Sequence, residues 1–228
     1  MEIISNVHRI PGVSGVNAYL LSGKTLTLVD TGMPGSAKAI LNYIENLNHA
    51  PTDVTHIVIT HHHIDHIGSL AALKQQTQAL VLAHPDDAPF INGERPQPAP
   101  RSTVLRLLFR LVPAMSRSEP VPVDVTIKEG SSLEILGGAT VVHAPGHTPG
   151  SVALHLPVER LLFTGDAINH RGNRLGLPPK PFTRDMEQAI ASMRHLAALD
   201  FESLCPGHGD PIVSGAAEQV RAMLQKLA

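Results

Sequence analysis

The chain has 228 residues, of which 43% are hydrophobic and 3% aromatic, and its formal net charge is −2. A chain of this length can bury a core as one α/β domain without disulfide or metal staples. The near-zero net charge argues against a bulk electrostatic attraction to nucleic acid or membrane, and the lack of tryptophan argues against base stacking. We therefore expect neither nucleic acid nor membrane as a partner.

The sequence also bears on the cellular compartment. Cys205 is the single cysteine, so no internal disulfide can form. That usage is typical of a reducing compartment. The first ten residues lack a basic stretch followed by an apolar run, so they do not resemble a signal peptide. No apolar run reaches the length of a transmembrane helix. We expect a cytoplasmic protein.

The first half of the chain predicts strands that alternate with helices. Apolar and β-branched runs indicate the strands, and an apolar stripe at helical spacing indicates each helix. The predicted strands are Val16–Leu21, Thr25–Asp30, His56–Thr60 and Ala79–Ala83, and the predicted helices are Ser36–Leu47 and Ile67–Gln76.

The second half repeats this pattern. A helix is expected to begin at Thr183 or Asp185 and to run to about Leu199, and Ser214 is expected to cap a terminal helix. Strands followed by helices in each half predict two packed sheets with helices outside, a four-layer αββα sandwich. The predicted strands are Ser132–Leu136, Thr140–His143, Val152–Leu156, Leu161–Thr164 and Phe201–Cys205.

One segment, Pro85–Pro122, interrupts the pattern. It contains eight prolines, and a helix is expected over Ser102–Val112. It is too short for a core of its own, so we interpret residues 1–228 as one domain with an insertion at about 85–122. The insertion is expected to form a lid over the site or, alternatively, a homodimer interface.

The richest motif is Thr60-His61-His62-His63-Ile64-Asp65-His66, which follows a predicted buried strand. His61 and His63 can converge on one cation from an extended turn. Asp65 and His66 lie at the predicted helix start and can face a second cation. Imidazole and carboxylate ligands suit a borderline-soft divalent cation such as zinc.

Three more motifs each follow a predicted strand and are flanked by glycine. They place His147 in Pro145-Gly146-His147-Thr148-Pro149-Gly150, Asp166 in Thr164-Gly165-Asp166, and His208 in Pro206-Gly207-His208-Gly209. Glycine permits the tight turns that bring such residues to one sheet edge, where loops usually build sites. Together the four motifs predict a metal centre.

These motifs closely resemble those of the metallo-β-lactamase superfamily, over about residues 16–212. The resemblance implies the αββα fold with the site at one edge of the sandwich. It also implies two divalent ions, zinc above Mn²⁺, Fe²⁺ or Co²⁺. The implied ligands are His61, His63 and His147 on the first ion, Asp65, His66 and His208 on the second, and Asp166 between them.

Two further residues are assigned to the surroundings of the ions. Asp30, in Val29-Asp30-Thr31-Gly32, resembles a carboxylate that orients a ligand imidazole. His170 lies four residues after Asp166, in a loop with glycine and arginine, and we expect it to contact the substrate or the ligands. His62 and Cys205 are expected to lie outside the metal shell.

The resemblance implies a metal-dependent hydrolase with a small-molecule substrate. Two ions about 3.5–4 Å apart would activate a bridging water and polarise the scissile group, with Asp65 as the proton shuttle. Asp166 argues against β-lactam hydrolysis as the main activity, because dedicated β-lactamases usually lack that aspartate. The ligand set resembles the core of hydroxyacylglutathione hydrolase, so we expect a small ester, thioester or lactone as the substrate. The alternatives are a phosphodiesterase, a β-lactamase-like side activity and a mononuclear-iron sulfur dioxygenase.

Overall fold

The computed structural model describes residues 1–99, 102, 106, 118–172 and 174–227. In these residues the chain forms two main β-sheets, a separate hairpin and six α-helices. This arrangement decides which loops meet at the candidate site.

The first sheet has seven strands, ordered as in the chain. The first four strands pair antiparallel, and the fourth to the seventh pair parallel. The parallel strands therefore end at a common edge. The strands are β1 (Glu2–Ile4), β2 (Val7–Arg9), β3 (Tyr19–Ser22), β4 (Leu26–Val29), β5 (Val54–Val58), β6 (Leu80–Ala83) and β7 (Val125–Thr126).

The second sheet has five strands: β8 (Ser132–Leu133), β9 (Ala139–His143), β10 (Val152–Leu156), β11 (Leu161–Gly165) and β14 (Ser203–Pro206). β8 to β11 pair antiparallel, and β14 lies parallel to β11 at the sheet edge. The carboxyl ends of β9, β11 and β14 therefore share one edge. The strands β12 (Asn169–Arg171) and β13 (Arg174–Gly176) form the separate hairpin.

Two of the helices are short and follow strands of the first sheet, where they help to shape the site. Two short 3-10 helices, Pro51–Asp53 and Lys180–Phe182, complete the regular structure of the described residues. The α-helices are α1 (Ala37–Asn46), α2 (Ile64–Ile67), α3 (Leu70–Thr77), α4 (Ala88–Ile91), α5 (Met186–Ala197) and α6 (Ala216–Gln225).

The core lies in three layers, which follow from the alternation of side chains along the strands. Leu154 of β10 points between the sheets, where it packs with residues such as Tyr19 and Phe163. Its neighbour Ala153 points outward to Met193 of α5. On the first sheet, the outer face packs against α1 and α3. The predicted αββα sandwich is therefore confirmed.

Two predicted helix boundaries are wrong. The predicted helix Ile67–Gln76 is instead α2 and α3, separated at Gly68. A side chain there would overlap the ring of Pro34, so the close approach requires glycine. Ser214 does not cap α6, because the residue before the helix is Gly215, with φ 63° and no side-chain cap.

The structure adds detail to two other segments. The expected loop around His170 contains the β12–β13 hairpin. The predicted helix Ser102–Val112 lies outside the described residues, apart from Ser102 and Arg106. The described ends of the insertion are joined, because the Val121 N–H donates to the Ile91 carbonyl (3.0 Å). The lid and the homodimer interface remain predictions.

No α-helix within the described ranges is both long and apolar enough to cross a membrane. The cytoplasmic location remains a prediction.

Candidate metal centre

The segment after β5 carries four of the predicted ligands. His61 and His63 lie in the extended turn, and Asp65 and His66 lie in α2, whose first turn begins directly after His63. His61 and His66 are almost completely buried, whereas the Asp65 side chain is 27% exposed. The turn therefore presents two imidazoles from within the protein and a carboxylate nearer to solvent.

The other three predicted ligands come from the second sheet. His147 lies between β9 and β10, Asp166 follows β11, and His208 follows β14. A side chain at Gly207 would lie 2.5 Å from Oδ1 of Asp166 and 3.0 Å from Cε1 of His66. Glycine at this position lets the His208 segment approach the first sheet closely enough to complete the cluster.

The seven side chains meet in overlapping groups of three. In each group, one ligand atom per residue lies within 4.8 Å of the others. Asp166 joins the groups: Oδ2 lies 3.4 Å from Nε2 of His147, and Oδ1 lies 3.3 Å from Nε2 of His208. The groups are His61, His63 and His147; His61, His66 and Asp166; and Asp65, His66 and His208.

The buried atoms that face one another in these groups lack hydrogen-bond partners. They are Nε2 of His61, His66 and His147, together with Oδ1 of Asp166. Buried polar atoms without partners are rare and costly in folded proteins. Because these atoms are imidazole nitrogens and a carboxylate oxygen, a borderline-soft divalent cation fits them.

The opposite ring nitrogens are held by oxygen atoms. Nδ1 of His66 lies 2.7 Å from Oδ2 of Asp30, and Nδ1 of His147 lies 3.2 Å from Oγ1 of Thr183. Asp30 also accepts the backbone and hydroxyl hydrogens of Thr60 at 2.9 and 2.8 Å. Such contacts fix the ring orientation and leave Nε2 free to bind a cation.

The side chains predicted to hold the first ion and those predicted to hold the second form the two halves of the centre, and the pKa values of their imidazoles are shifted in different directions. Burial, followed by neighbouring imidazoles, holds the pKa of His61 and of His63 well below the usual range. Burial alone would raise the pKa of Asp166, but contacts with His208 and His66 outweigh it and hold this pKa well below the usual range. The first half therefore offers neutral imidazoles beside an anionic carboxylate.

In the second half, burial opposes the charged form of His208, but Asp166 and Asp65 outweigh this effect and raise its pKa to about 9. Burial likewise disfavours protonated His66, but Asp30 and Asp65 raise its pKa well above the usual range. The carboxylates thus create a site that favours positive charge, and a bound cation would displace the protons.

His170 lies against the His208 segment. Its backbone N–H donates to the His208 carbonyl (3.0 Å), and its Nδ1 lies 2.6 Å from the Asp210 carbonyl oxygen. The ring therefore contacts the chain two residues beyond a predicted ligand. Cys205 is buried between the sheets, and burial raises the pKa of its thiol.

Two residues beside the predicted ligands were missed by the sequence analysis. Thr183 contacts His147, although it is 36 positions away. Asp87 contacts both His62 and Thr148, which neighbour ligands in two different loops. Neither residue belongs to a motif, so the sequence offered only its residue type as a signal.

A separate group, His84, Asp86 and His143, also has ligand atoms within 4.8 Å of one another. The rings of His84 and His143 are stacked, with centroids 4.1 Å apart and planes 8° from parallel. Imidazole lone pairs lie in the ring plane, so parallel stacked rings do not direct them to one point. This arrangement does not favour a cation.

The chain is similar to known proteins in sequence and in fold. Residues 11–208 match the family described as the metallo-beta-lactamase superfamily. "Probable metallo-hydrolase YflN" from Bacillus subtilis is 29% identical over all of this chain and 91% of the relative. A hydroxyacylglutathione hydrolase from Pseudomonas savastanoi pv. phaseolicola is 32% identical, over 87% of this chain and 63% of the relative. The crystal structure of a metallo-beta-lactamase family protein from Thermus thermophilus matches with a TM-score of 0.76 and 25% identity, over 99% of this chain and 80% of that one.

Proposed function

The chain belongs to the metallo-beta-lactamase superfamily of metal-dependent hydrolases, and we propose that it uses two divalent metal ions to hydrolyse a small ester, thioester or lactone. The observation that carries the proposal is the set of groups joined by Asp166. Its facing buried atoms include three imidazole nitrogens and a carboxylate oxygen without hydrogen-bond partners.

The ligand assignment follows the groups. His61, His63 and His147 would hold the first ion, and Asp65, His66 and His208 the second. Asp166 would contact both, because its two oxygens face ligands of different groups. Zinc is the proposed metal, since neutral imidazoles and carboxylates are its usual ligands apart from thiolates.

When bound, two such ions lower the pKa of a water molecule and stabilise negative charge on the carbonyl oxygen of the substrate. Asp65 is suited to accept and pass on the proton. Burial alone would raise the pKa of Asp65, but His66 and the contacts with His208 together outweigh it, so the pKa is lowered and the group is a carboxylate near neutral pH. The Asp65 side chain is partly exposed, so solvent can reach it.

Asp30 and Thr183 act on the rings and do not reach the substrate in this scheme. Asp30 holds Nδ1 of His66, and Thr183 holds Nδ1 of His147. These contacts fix the tautomer in which Nε2 carries the lone pair. The rings are therefore organised before any ligand arrives, which reduces the cost of binding.

The substrate class is supported by the intact ligand set and by the relative named as a hydroxyacylglutathione hydrolase. We propose a small molecule as the substrate, with neither nucleic acid nor membrane as a partner. A formal net charge of −2 supports this proposal, because it provides no bulk attraction to either surface.

The test combines metal analysis with a panel of thioester, lactone, phosphodiester and β-lactam substrates. Removal of metal by a chelator should abolish hydrolysis, and zinc, cobalt or manganese should restore it. Full activity after verified metal removal would contradict the proposal. A single iron per chain with oxygen consumption would instead identify a dioxygenase.

A further inference from the structure

We propose that Asp87 is a positioning residue that sets the distance between the two loops carrying the first metal site; this inference rests on the proposed function. The first ligand loop is defined as residues 59–63 and contains His61 and His63. The second ligand loop is defined as residues 144–151 and contains His147. Asp87 belongs to neither, because it follows β6 and precedes α4.

The Asp87 carboxylate accepts hydrogen bonds from both loops. Oδ2 accepts the backbone N–H of His62 (2.9 Å) and the hydroxyl of Thr148 (2.7 Å). Oδ1 accepts the backbone N–H of Gly150 (2.7 Å). Each of the first two donors neighbours a predicted ligand, since His62 lies between His61 and His63 and Thr148 follows His147.

The surroundings leave this carboxylate little freedom to move. The Asp87 side chain is 1% exposed, and a side chain at Gly150 would lie 2.6 Å from its Oδ1. Nδ1 of His62 lies 3.0 Å from Oδ2, and the His62 ring stacks on Phe90 of α4 with centroids 4.3 Å apart. Asp87 therefore packs between the two ligand loops, and α4 packs against the first of them through Phe90.

The charge state suits this role. Burial alone would raise the pKa of Asp87, but the contacts from His62 and Thr148 outweigh it and lower the pKa. The group is then an ionised acceptor with no proton to donate, which matches the donors around it. Asn at this position would direct an N–H₂ group at another donor.

The inference predicts an effect confined to one metal site. Asp87→Asn should weaken binding at the first site by up to about 10-fold, which is the lower end of the effect of losing a direct partner of a metal ligand, because Asp87 contacts neighbours of the ligands and not the ligands themselves. The second site should keep its affinity. The measurement is a metal titration of the chelator-treated full chain with zinc or cobalt, with folding checked by circular dichroism.

Two backgrounds separate the sites. In His208→Ala, where the first site remains, Asp87→Asn should weaken the remaining binding step. In His147→Ala, where the second site remains, it should change little. Asp86→Asn is the matched control. The Asp86 side chain is 59% exposed, so this substitution should leave both binding steps unchanged.

Thr148 provides an independent test if Asp87→Asn does not fold. Thr148→Val removes the hydroxyl at nearly constant volume and should weaken the first site, whereas Thr148→Ser should retain its affinity. Equal weakening of both sites, or none, in the folded variants would overturn the inference while leaving the proposed function intact. A parent protein that binds no metal would overturn the proposed function itself.

Discussion

At the scale of single residues, Asp166 has the central position. Its Oδ2 lies 3.4 Å from Nε2 of His147, and its Oδ1 lies 3.4 Å from Nε2 of His66 and 3.3 Å from Nε2 of His208. Each oxygen thus faces a different group of ligands. One carboxylate charge serves both halves of the centre.

Asp166→Ala should therefore lower the occupancy of both metal sites, by more than the roughly 10–100-fold typical of an outer partner. His147→Ala should mainly affect the first site, and His208→Ala mainly the second. Metal content after dialysis against graded chelator measures all three variants. Loss of one ion with full retention of the other in Asp166→Ala would show that it does not bridge the sites.

His170 provides a second prediction at this scale. Because its Nδ1 lies 2.6 Å from the Asp210 carbonyl oxygen, His170→Ala should loosen the His208 segment and cost about 1 kcal/mol of unfolding free energy. Binding at the second metal site should weaken, while relative rates across the substrate panel stay constant. A changed substrate preference with unchanged metal affinity would instead indicate direct contact with substrate.

At the scale of elements, the residue that begins α5 also contacts the second ligand loop. Asp185 caps α5, since its Oδ1 accepts the Gln188 N–H (3.0 Å). The backbone N–H of Asp185 donates to the carbonyl of Gly146 (2.9 Å), which precedes His147. Asp185→Ala should lower the free energy of unfolding by about 1 kcal/mol, because it removes this cap.

Thermal unfolding measures this effect, with a decrease of about 2–4 °C expected for a chain of this size. Ser214→Ala is the matched control, because Ser214 was predicted from the sequence to cap α6 but Gly215 occupies that position. It should change stability by less than about 0.5 kcal/mol. Equal losses in the two variants would contradict the assignment of the cap.

The contact between α3 and the segment before β7 should stabilise the fold by an amount that depends on pH. Lys74 Nζ donates to Oδ2 of Asp124 (2.6 Å). Burial alone would raise the pKa of Asp124, but Lys74 and the Val81 backbone N–H, which donates to the same oxygen (2.7 Å), together outweigh it and lower the pKa. A carboxyl with a lowered pKa in the folded state stabilises fully above its unfolded value of about 4 and loses this contribution as the pH falls through the folded value.

Asp124→Asn should therefore destabilise the protein above about pH 5, by less than about 1 kcal/mol because the pair is partly exposed. The difference from the parent should shrink as the pH falls below about 4. Urea unfolding at several pH values measures it. In the Lys74→Met background this pH dependence should shrink to the part that the Val81 N–H maintains. An unchanged pH dependence there would show that Lys74 is not its cause.

At the scale of the whole molecule, local patterns predicted the layers and the ligand segments, but not the contacts between distant segments. Strands such as β10 are nearly continuous apolar runs, whereas β12 and β13 have three residues each and no clear period. Asp87 meets Thr148 and Gly150 across 61 and 63 positions. No local spacing encodes such a contact, because it depends on how the two sheets pack.

The last prediction concerns the insertion at about 85–122, whose described base lies beside the first ligand loop. Phe90 stacks on His62, and Ile91 and Val121 are buried together and joined by a backbone hydrogen bond. Replacing residues 95–118 by a short Gly/Ser linker keeps these anchors and Asp87, so metal content should stay unchanged. If the segment is a lid, the relative rates for thioester, lactone and phosphodiester substrates should change. If those rates stay constant and gel filtration shows a dimer becoming a monomer, the segment is a subunit interface and the lid prediction is wrong.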